Sequence, residues 1–167
     1  MKYVFVLDES KCIACGACAV ACMDQNDIRP ENGDTPFRSC FTGERGEGAE
    51  TKFSFMSLAC MHCENAPCVS ACPTGCLRKD GETGFTTYDD TNCIGCHSCA
   101  MACPFGAPTF PASGKMEKCN GCQVRLEHGL EPACVRVCPT GALTCIPEEE
   151  YLKQRRERTM QAIADKL

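Results

Sequence analysis

Cys93-Ile94-Gly95-Cys96-His97-Ser98-Cys99-Ala100-Met101-Ala102-Cys103-Pro104 is the stretch that decides the fold. It reads C-x2-C-x2-C-x3-C-P, a spacing at which thiolates hold iron–sulfur cubes. Three thiolates two residues apart take one side of a cube. The fourth does not reach the same cube comfortably, because the chain turns helical after the third. In two-cluster proteins it binds the neighbouring cluster instead, so one such run implies a partner run. The proline ends local structure and removes a backbone donor.

The partner runs are present. Cys12, Cys15, Cys18 and Cys22 repeat the tight spacing, with Met23 in place of the proline. Cys60, Cys63, Cys68 and Cys72 form a looser run, C-x2-C-x4-C-x3-C-P, and Cys119, Cys122, Cys134 and Cys138 another, C-x2-C-x11-C-x3-C-P. The tails Cys72-Pro73-Thr74-Gly75 and Cys138-Pro139-Thr140-Gly141 match, and Cys103-Pro104-Phe105-Gly106 is close. Four runs of four supply ligands for four [4Fe–4S] clusters. Cys40, Cys76 and Cys145 remain over and are read as free thiols.

Composition narrows the class. Nineteen of 167 residues are cysteine, a density that in a short secreted chain signals a disulfide scaffold. The ligand spacing and the odd count oppose that reading. Met1 to Lys11 offers only a short apolar run, so no signal peptide of its own is expected, and no stretch approaches a membrane span. The formal charge is −5, and each oxidised cluster with its thiolates adds to it, carrying about −2. No basic run suggests nucleic acid. Clusters replace much of the apolar core, which couples metal binding to folding.

Local patterns set the expected elements. Lys2 to Asp8 reads as a strand, Gly16 to Gln25 as a short helix with Cys18 and Cys22 on one face, and Lys52 to Leu58 as a second strand. Asp27 to Glu50, rich in Gly and Pro, reads as a loop. Asp80-Gly81 marks a hairpin between Leu77–Lys79 and Phe85–Tyr88. Phe105 to Lys118 reads as an extended connector, Gln123 to Ala133 as room for a helical turn, and Ala142 to Ile146 as a strand. Pro147-Glu148-Glu149-Glu150 opens a tail helix running to Leu167, with Leu152, Met160, Ile163 and Leu167 near one face; it reads equally as a solvated tail and as a docking helix. The fold class is α+β.

The chemistry is that of a relay. Clusters with four thiolates have no open iron for substrate, and the sequence carries no nucleophile–base constellation, phosphate loop or flavin fingerprint. The order tight, loose, tight, loose, with Cys60-Met61-His62-Cys63-Glu64-Asn65-Ala66-Pro67-Cys68, the Cys-Pro-Thr-Gly tails and Gly114-Lys115-Met116-Glu117-Lys118-Cys119, resembles the four-cluster iron–sulfur subunit of the dimethyl sulfoxide reductase family of molybdenum or tungsten enzymes. The resemblance covers about residues 1–147. It implies electron passage between a molybdopterin catalytic subunit, in a heteromer, and a quinol-linked membrane subunit or other redox protein. It also implies two pseudo-symmetric ferredoxin-like units, one nested in the other: an outer unit, 1–50 with 105–147, an inner unit, 51–104, and a tail, 148–167. Spacing alone leaves three pairings open. The resemblance implies Cys12, Cys15, Cys18 and Cys138 for cluster one, and Cys22, Cys119, Cys122 and Cys134 for cluster two. Cluster three takes Cys60, Cys63, Cys68 and Cys103, and cluster four Cys72, Cys93, Cys96 and Cys99. Such subunits act in the cytoplasm or are exported folded on a partner's signal.

Other readings stand beside it. One is a free-standing polyferredoxin or a carrier linked to hydrogenase or formate dehydrogenase. Another is a zinc-bound structural module, since the two looser runs, taken alone, have zinc-like CxxC pairs. His62 and His97 sit between ligands and are read as space-filling or exposed, with tuning of a cluster by hydrogen bonding as the alternative; His128 has no context. Lys118 and Arg136, beside ligands, are read as surface charge, with raising a nearby cluster's potential as the alternative.

Overall fold

The computed structural model describes residues 1–166. Strand β1 (Tyr3–Leu7) is followed by helix α1 (Ala17–Gln25), which starts one residue past Gly16. Cys18 and Cys22, one turn apart, are both buried, as the helical spacing requires. Strands β2 (Ser39–Arg45) and β3 (Lys52–Leu58) come next. Helix α2 (Pro67–Ser70), strands β4 (Leu77–Lys79) and β5 (Thr86–Tyr88), and helix α3 (Ser98–Ala102) follow. Helices α4 (Gln123–Glu127) and α5 (Ala133–Arg136), strand β6 (Leu143–Pro147) and helix α6 (Glu148–Ala164) complete the order.

The sheets are antiparallel pairs. β1 pairs with β6 from Tyr3↔Pro147 to Leu7↔Leu143, bringing the first and last cysteine runs to one place. Beside it α1 packs on α5. β4 pairs with β5 across the expected turn, where Asp80 N–H donates to the Phe85 carbonyl (2.8 Å), and α2 packs on α3 and β4. The Tyr3 N–H donates to the Thr83 carbonyl (2.9 Å), tying β1 to that hairpin. The apolar core is small and built around cysteines. Cys68 and Cys99 pack with Ala66, Leu77 and Met116, while Cys18 and Cys134 pack with Val135 and Leu143.

Two expectations need correction. Residues 27–50 are not a loop throughout: β2 lies within them and pairs with β3 from Ser39↔Leu58 to Arg45↔Lys52. Two of the glycines that suggested a loop, Gly46 (φ +106°) and Gly48 (φ +57°), lie in the hairpin connection, while Gly43 lies within β2. The tail helix ends at Ala164, and Leu167 lies outside the described residues. Its start touches β1 and β6, while Leu152, Met160 and Ile163 face solvent. Among the described residues no helix is long and apolar enough to cross a membrane.

Candidate metal centres

The four runs share one backbone device. The residue before the second cysteine has positive φ in each: Ala14 (+49°), His62 (+46°), Gly95 (+64°) and Gly121 (+76°). A side chain in that region costs about 1–2 kcal/mol, so a turn enforced four times has a task. It curls each C-x-x-C, and in the fourth run it brings the Gly121 N–H to Cys119 Sγ (3.4 Å). Glycine is also needed sterically in two runs. A Cβ on Gly121 would run into the Phe85 ring, and one on Gly95 would lie 2.6 Å from the Gly114 carbonyl oxygen.

The cysteines gather in groups that mix runs. One cavity is lined by Cys12, Cys15 and Cys18 together with Cys138 and the spare Cys40. A second is lined by Cys93, Cys96 and Cys99 together with Cys72 and the spare Cys76. Burial pushes the Cys22 thiol up to about 12, and the neighbouring Cys119, Cys134 and Cys122 add to it. Burial also raises Cys68, with Cys60 and Cys103 as further contributors; Cys63 packs in the same core. Among the described residues no three His, Cys, Asp or Glu side chains converge on a single ion. A tetrahedral zinc would need its sulfurs roughly 3.8 Å apart, whereas these groups line spaces between elements. A cavity of about 380 Å³ opens beside Arg38 and His62 between Tyr3, Phe5, Phe85 and Tyr151, and has Cys60 alone among the cysteines on its wall.

Donors surround the sulfurs. Met116 N–H reaches Cys93 Sγ (3.3 Å) and Ala107 N–H reaches Cys103 Sγ (3.4 Å). The two matching Cys-Pro-Thr-Gly tails make the same contact: Thr74 Oγ1 lies 3.7 Å from Cys72 Sγ, and Thr140 Oγ1 3.8 Å from Cys138 Sγ. Burial raises Cys72, but hydrogen bonds from Thr74, Leu77 and Cys76 overcome it and bring the thiol to about 7. Cys138 is lowered the same way, burial being outweighed by Leu143 and Thr140, and Cys96 is lowered by the Ser98 hydroxyl. Donors of this kind favour thiolate, the form that binds metal.

Lys118 departs from the surface-charge reading, while His62 takes the buried one. Lys118 is 1% exposed, its ammonium donating to the carbonyls of Thr86 and Cys119; Arg136 is exposed as expected. His62 is buried. Thr86 N–H donates to its Nδ1 (3.1 Å), and its Nε2 lies 3.6 Å from Cys119 Sγ. Burial, then Lys118, Lys79 and Arg38, hold its pKa well below the usual value. Arg38, 4% exposed, was not singled out by sequence and has no pattern that marks it. His97 stacks on Phe110 (3.8 Å between rings) and is otherwise exposed. His128 is exposed, with Nδ1 2.8 Å from the Val124 carbonyl.

A family model described as a 4Fe-4S dicluster domain matches residues 51–147, and one described as a 4Fe-4S binding domain matches residues 5–22. The thiosulfate reductase electron transfer subunit of Salmonella typhi is 46% identical over 144 residues, 85% of this chain and 74% of that protein. The B subunit of the anaerobic dimethyl sulfoxide reductase of Escherichia coli K12 is 38% identical over 162 residues, 92% and 77%. A probable anaerobic dimethyl sulfoxide reductase subunit of the same strain is 38% identical over 172 residues, 98% and 81%. The chain belongs to the iron–sulfur electron-transfer subunits of the molybdopterin oxidoreductases. As a member of that family it transfers electrons and binds iron–sulfur clusters, and the donor set fits that role: grouped thiols, N–H groups aimed at sulfur, and hydroxyls beside the exposed cysteines. The zinc-module reading falls with this assignment.

Proposed function

We propose that this subunit relays single electrons through four [4Fe–4S] clusters, to or from a molybdopterin catalytic subunit in a stable heteromer. Each cluster would supply a one-electron site with no open iron. The chain's part is to fix the spacing, shield the sulfurs and offer N–H and hydroxyl donors. Cys12, Cys15, Cys18 and Cys138 hold cluster one, and Cys22, Cys119, Cys122 and Cys134 cluster two. Cys60, Cys63, Cys68 and Cys103 hold cluster three, and Cys72, Cys93, Cys96 and Cys99 cluster four.

The observation that carries this reading is the cavity lined by Cys12, Cys15 and Cys18 from one end of the chain and Cys138 from the other. Its counterpart, lined by Cys93, Cys96, Cys99 and Cys72, supports the same exchange of the last ligand. The β1–β6 pairing with α1 on α5, and the β4–β5 hairpin with α2 on α3, support an outer unit (1–50 with 105–147) enclosing an inner one (51–104). The order of clusters has support as well. Cys18 and Cys134 share one core, Cys119 Sγ lies 3.6 Å from the His62 ring beside Cys63, and Cys68 and Cys99 share another core. These contacts favour the order one, two, three, four.

The partner at one end is the catalytic subunit, and at the other a quinol-linked membrane subunit or another redox protein. The segment 27–50 and the tail helix from Glu148, with its uncovered apolar side chains, are the contact elements, since neither carries a cluster ligand. The assembly acts in the cytoplasm, or outside it if exported folded with a partner. The test is anaerobic purification from the native source with metal analysis. About sixteen iron per chain and a co-purifying pterin subunit are expected. A lone monomer that reduces no pterin enzyme overturns the assignment of partner, and a reproducible deficit of one cluster overturns the count.

A further inference from the structure

Charge is distributed unevenly around the cysteine groups. Arg38 and Lys118 are 4% and 1% exposed. A buried cation normally needs an acidic partner, because its desolvation is costly. Among the described residues the ion pairs are Lys2–Glu64, Lys11–Asp8, Arg78–Asp89 and Lys115–Asp90, and none reaches either cation. Neutral groups meet them instead. Arg38 Nη1 donates to Ser57 Oγ (3.0 Å) and lies near the Phe5 ring, while Lys118 donates to two carbonyls. Nearby stand cysteines, which become anionic on binding metal, and the cations favour that form. Arg38 acts on Cys22, Cys119 and Cys134, and Lys118 on Cys119 and Cys68.

His62 stands between the same two groups. It is flanked in sequence by Met61 and Cys63, of the second run, and its Nε2 points at Cys119 of the fourth. Because Nδ1 accepts from the Thr86 N–H, the ring proton sits on Nε2. The imidazole is thus a fixed N–H donor to the Cys119 sulfur. Phe5 and Phe85 stack about it, with ring centres 5.9 and 4.5 Å away, and hold that aim. The end groups have other neighbours: Met116 N–H reaches Cys93 Sγ, and the hydroxyls of Ser57, Thr74, Ser98 and Thr140 lie beside Cys18, Cys72, Cys96 and Cys138.

We propose that Arg38, His62 and Lys118 form a positive seam between clusters two and three, balancing their charge and raising their reduction potentials above those of clusters one and four. Electrons then rest in the middle of the line, and a partner at either end draws on a filled interior. This rests on the ligand sets proposed above. Arg38 and His62 act on cluster two, and Lys118 acts on both. An added electron is stabilised by nearby positive charge and by N–H donors to the ligand sulfur.

The test is a redox titration of the purified holoprotein followed by electron paramagnetic resonance, with iron counted in each sample. Arg38→Met should lower one midpoint, Lys118→Met two, and His62→Asn one; the remaining midpoints should stay in place. Asn tolerates the left-handed backbone at position 62 but is too short to reach Cys119. Full iron with unmoved midpoints, or an equal fall in all of them, overturns the seam. Where Arg38→Met sheds iron, Arg38→Lys decides: recovery of iron and midpoint supports a charge role, and loss in both overturns it. In the unaltered protein, histidine labelled with nitrogen-15 should couple magnetically to one reduced inner cluster, and no coupling overturns the role of His62. A shortfall of iron in the unaltered protein strikes instead at the four-cluster reading.

Discussion

The middle and the ends of the proposed cysteine line treat their exposed and buried thiols differently. In the middle, burial pushes Cys22 and Cys119 up to about 12 and raises Cys134. At the ends, burial raises Cys99 too, but hydrogen bonds bring Cys72 to about 7 and lower Cys96 and Cys138. Cys15 and Cys96 are exposed there, and so are Ile13 and Ile94 between the ligands. A buried thiolate needs positive charge, whereas an exposed one is served by water and hydroxyls. The difference matches a line whose ends meet partners and whose interior is shielded from them.

Breaking a ligand in the middle should have the largest effect. Cys119→Ser is expected to remove one cluster of four, about four iron, and to stop passage between the ends. Cys96→Ser should cost the same iron yet leave the other three clusters reducible from the opposite end. Metal analysis and stepwise reduction of each variant check this. Equal behaviour of the two variants would mean the clusters are not in line.

Phe85 supports the middle by packing alone. It is 1% exposed, stacks on Phe5 and fills the space that the missing Cβ of Gly121 leaves. Phe85→Ala should destabilise the holoprotein by about 3–5 kcal/mol, seen as a lower temperature of visible bleaching. Bleaching at the normal temperature would show that the aromatic group does not hold the seam. A milder contrast concerns access. Under a chelator in air, the iron held by the exposed Cys15 and Cys96 should leave before that held by Cys22 and Cys119. Simultaneous loss, followed by spectra of each cluster, would erase the distinction between ends and middle.

The ends were more legible in the sequence than the middle. Ligand spacing is a local pattern, and aromatic and β-branched content and the Asp80-Gly81 turn are local too, so β1, β3, β6 and the β4–β5 hairpin were readable. β2 was not, because Ser39-Cys40-Phe41-Thr42-Gly43-Glu44-Arg45 has little apolar content and is a strand only through its pairing with β3. Arg38 and Lys118 were misjudged or missed for a related reason. A charged side chain is ordinarily exposed, and nothing local says that folding will carry it among sulfurs. His62 was visible as a residue between ligands, but its bond to Cys119 joins positions 57 residues apart. The grouping of Cys138 with the first run likewise depends on the β1–β6 pairing, which no spacing encodes.

The smallest effects should come from the spare thiols, and they sharpen the comparison because two of them lie at the ends. Cys40 lines the same cavity as Cys12, Cys15, Cys18 and Cys138, with its sulfur 3.6 Å from that of Cys18. Burial and then Cys18 itself raise its pKa, which disfavours the thiolate a ligand must be. Four ligands already fill a cube, and Cys18 belongs to the tight run while Cys40 does not. Cys76, 3.1 Å from the Thr74 hydroxyl, stands in the same relation to the group at the other end. Cys145 is opposite Phe5 in the β1–β6 pair. Replacing any of the three with serine keeps a small hydrogen-bonding group in place. Iron content should therefore stay at its full value, with at most a slight change in the spectrum of cluster one for Cys40→Ser and of cluster four for Cys76→Ser. Loss of a whole cluster in the Cys40 variant would make Cys40 a ligand, and one member of the first group, Cys18 being the nearest, would then be the spare.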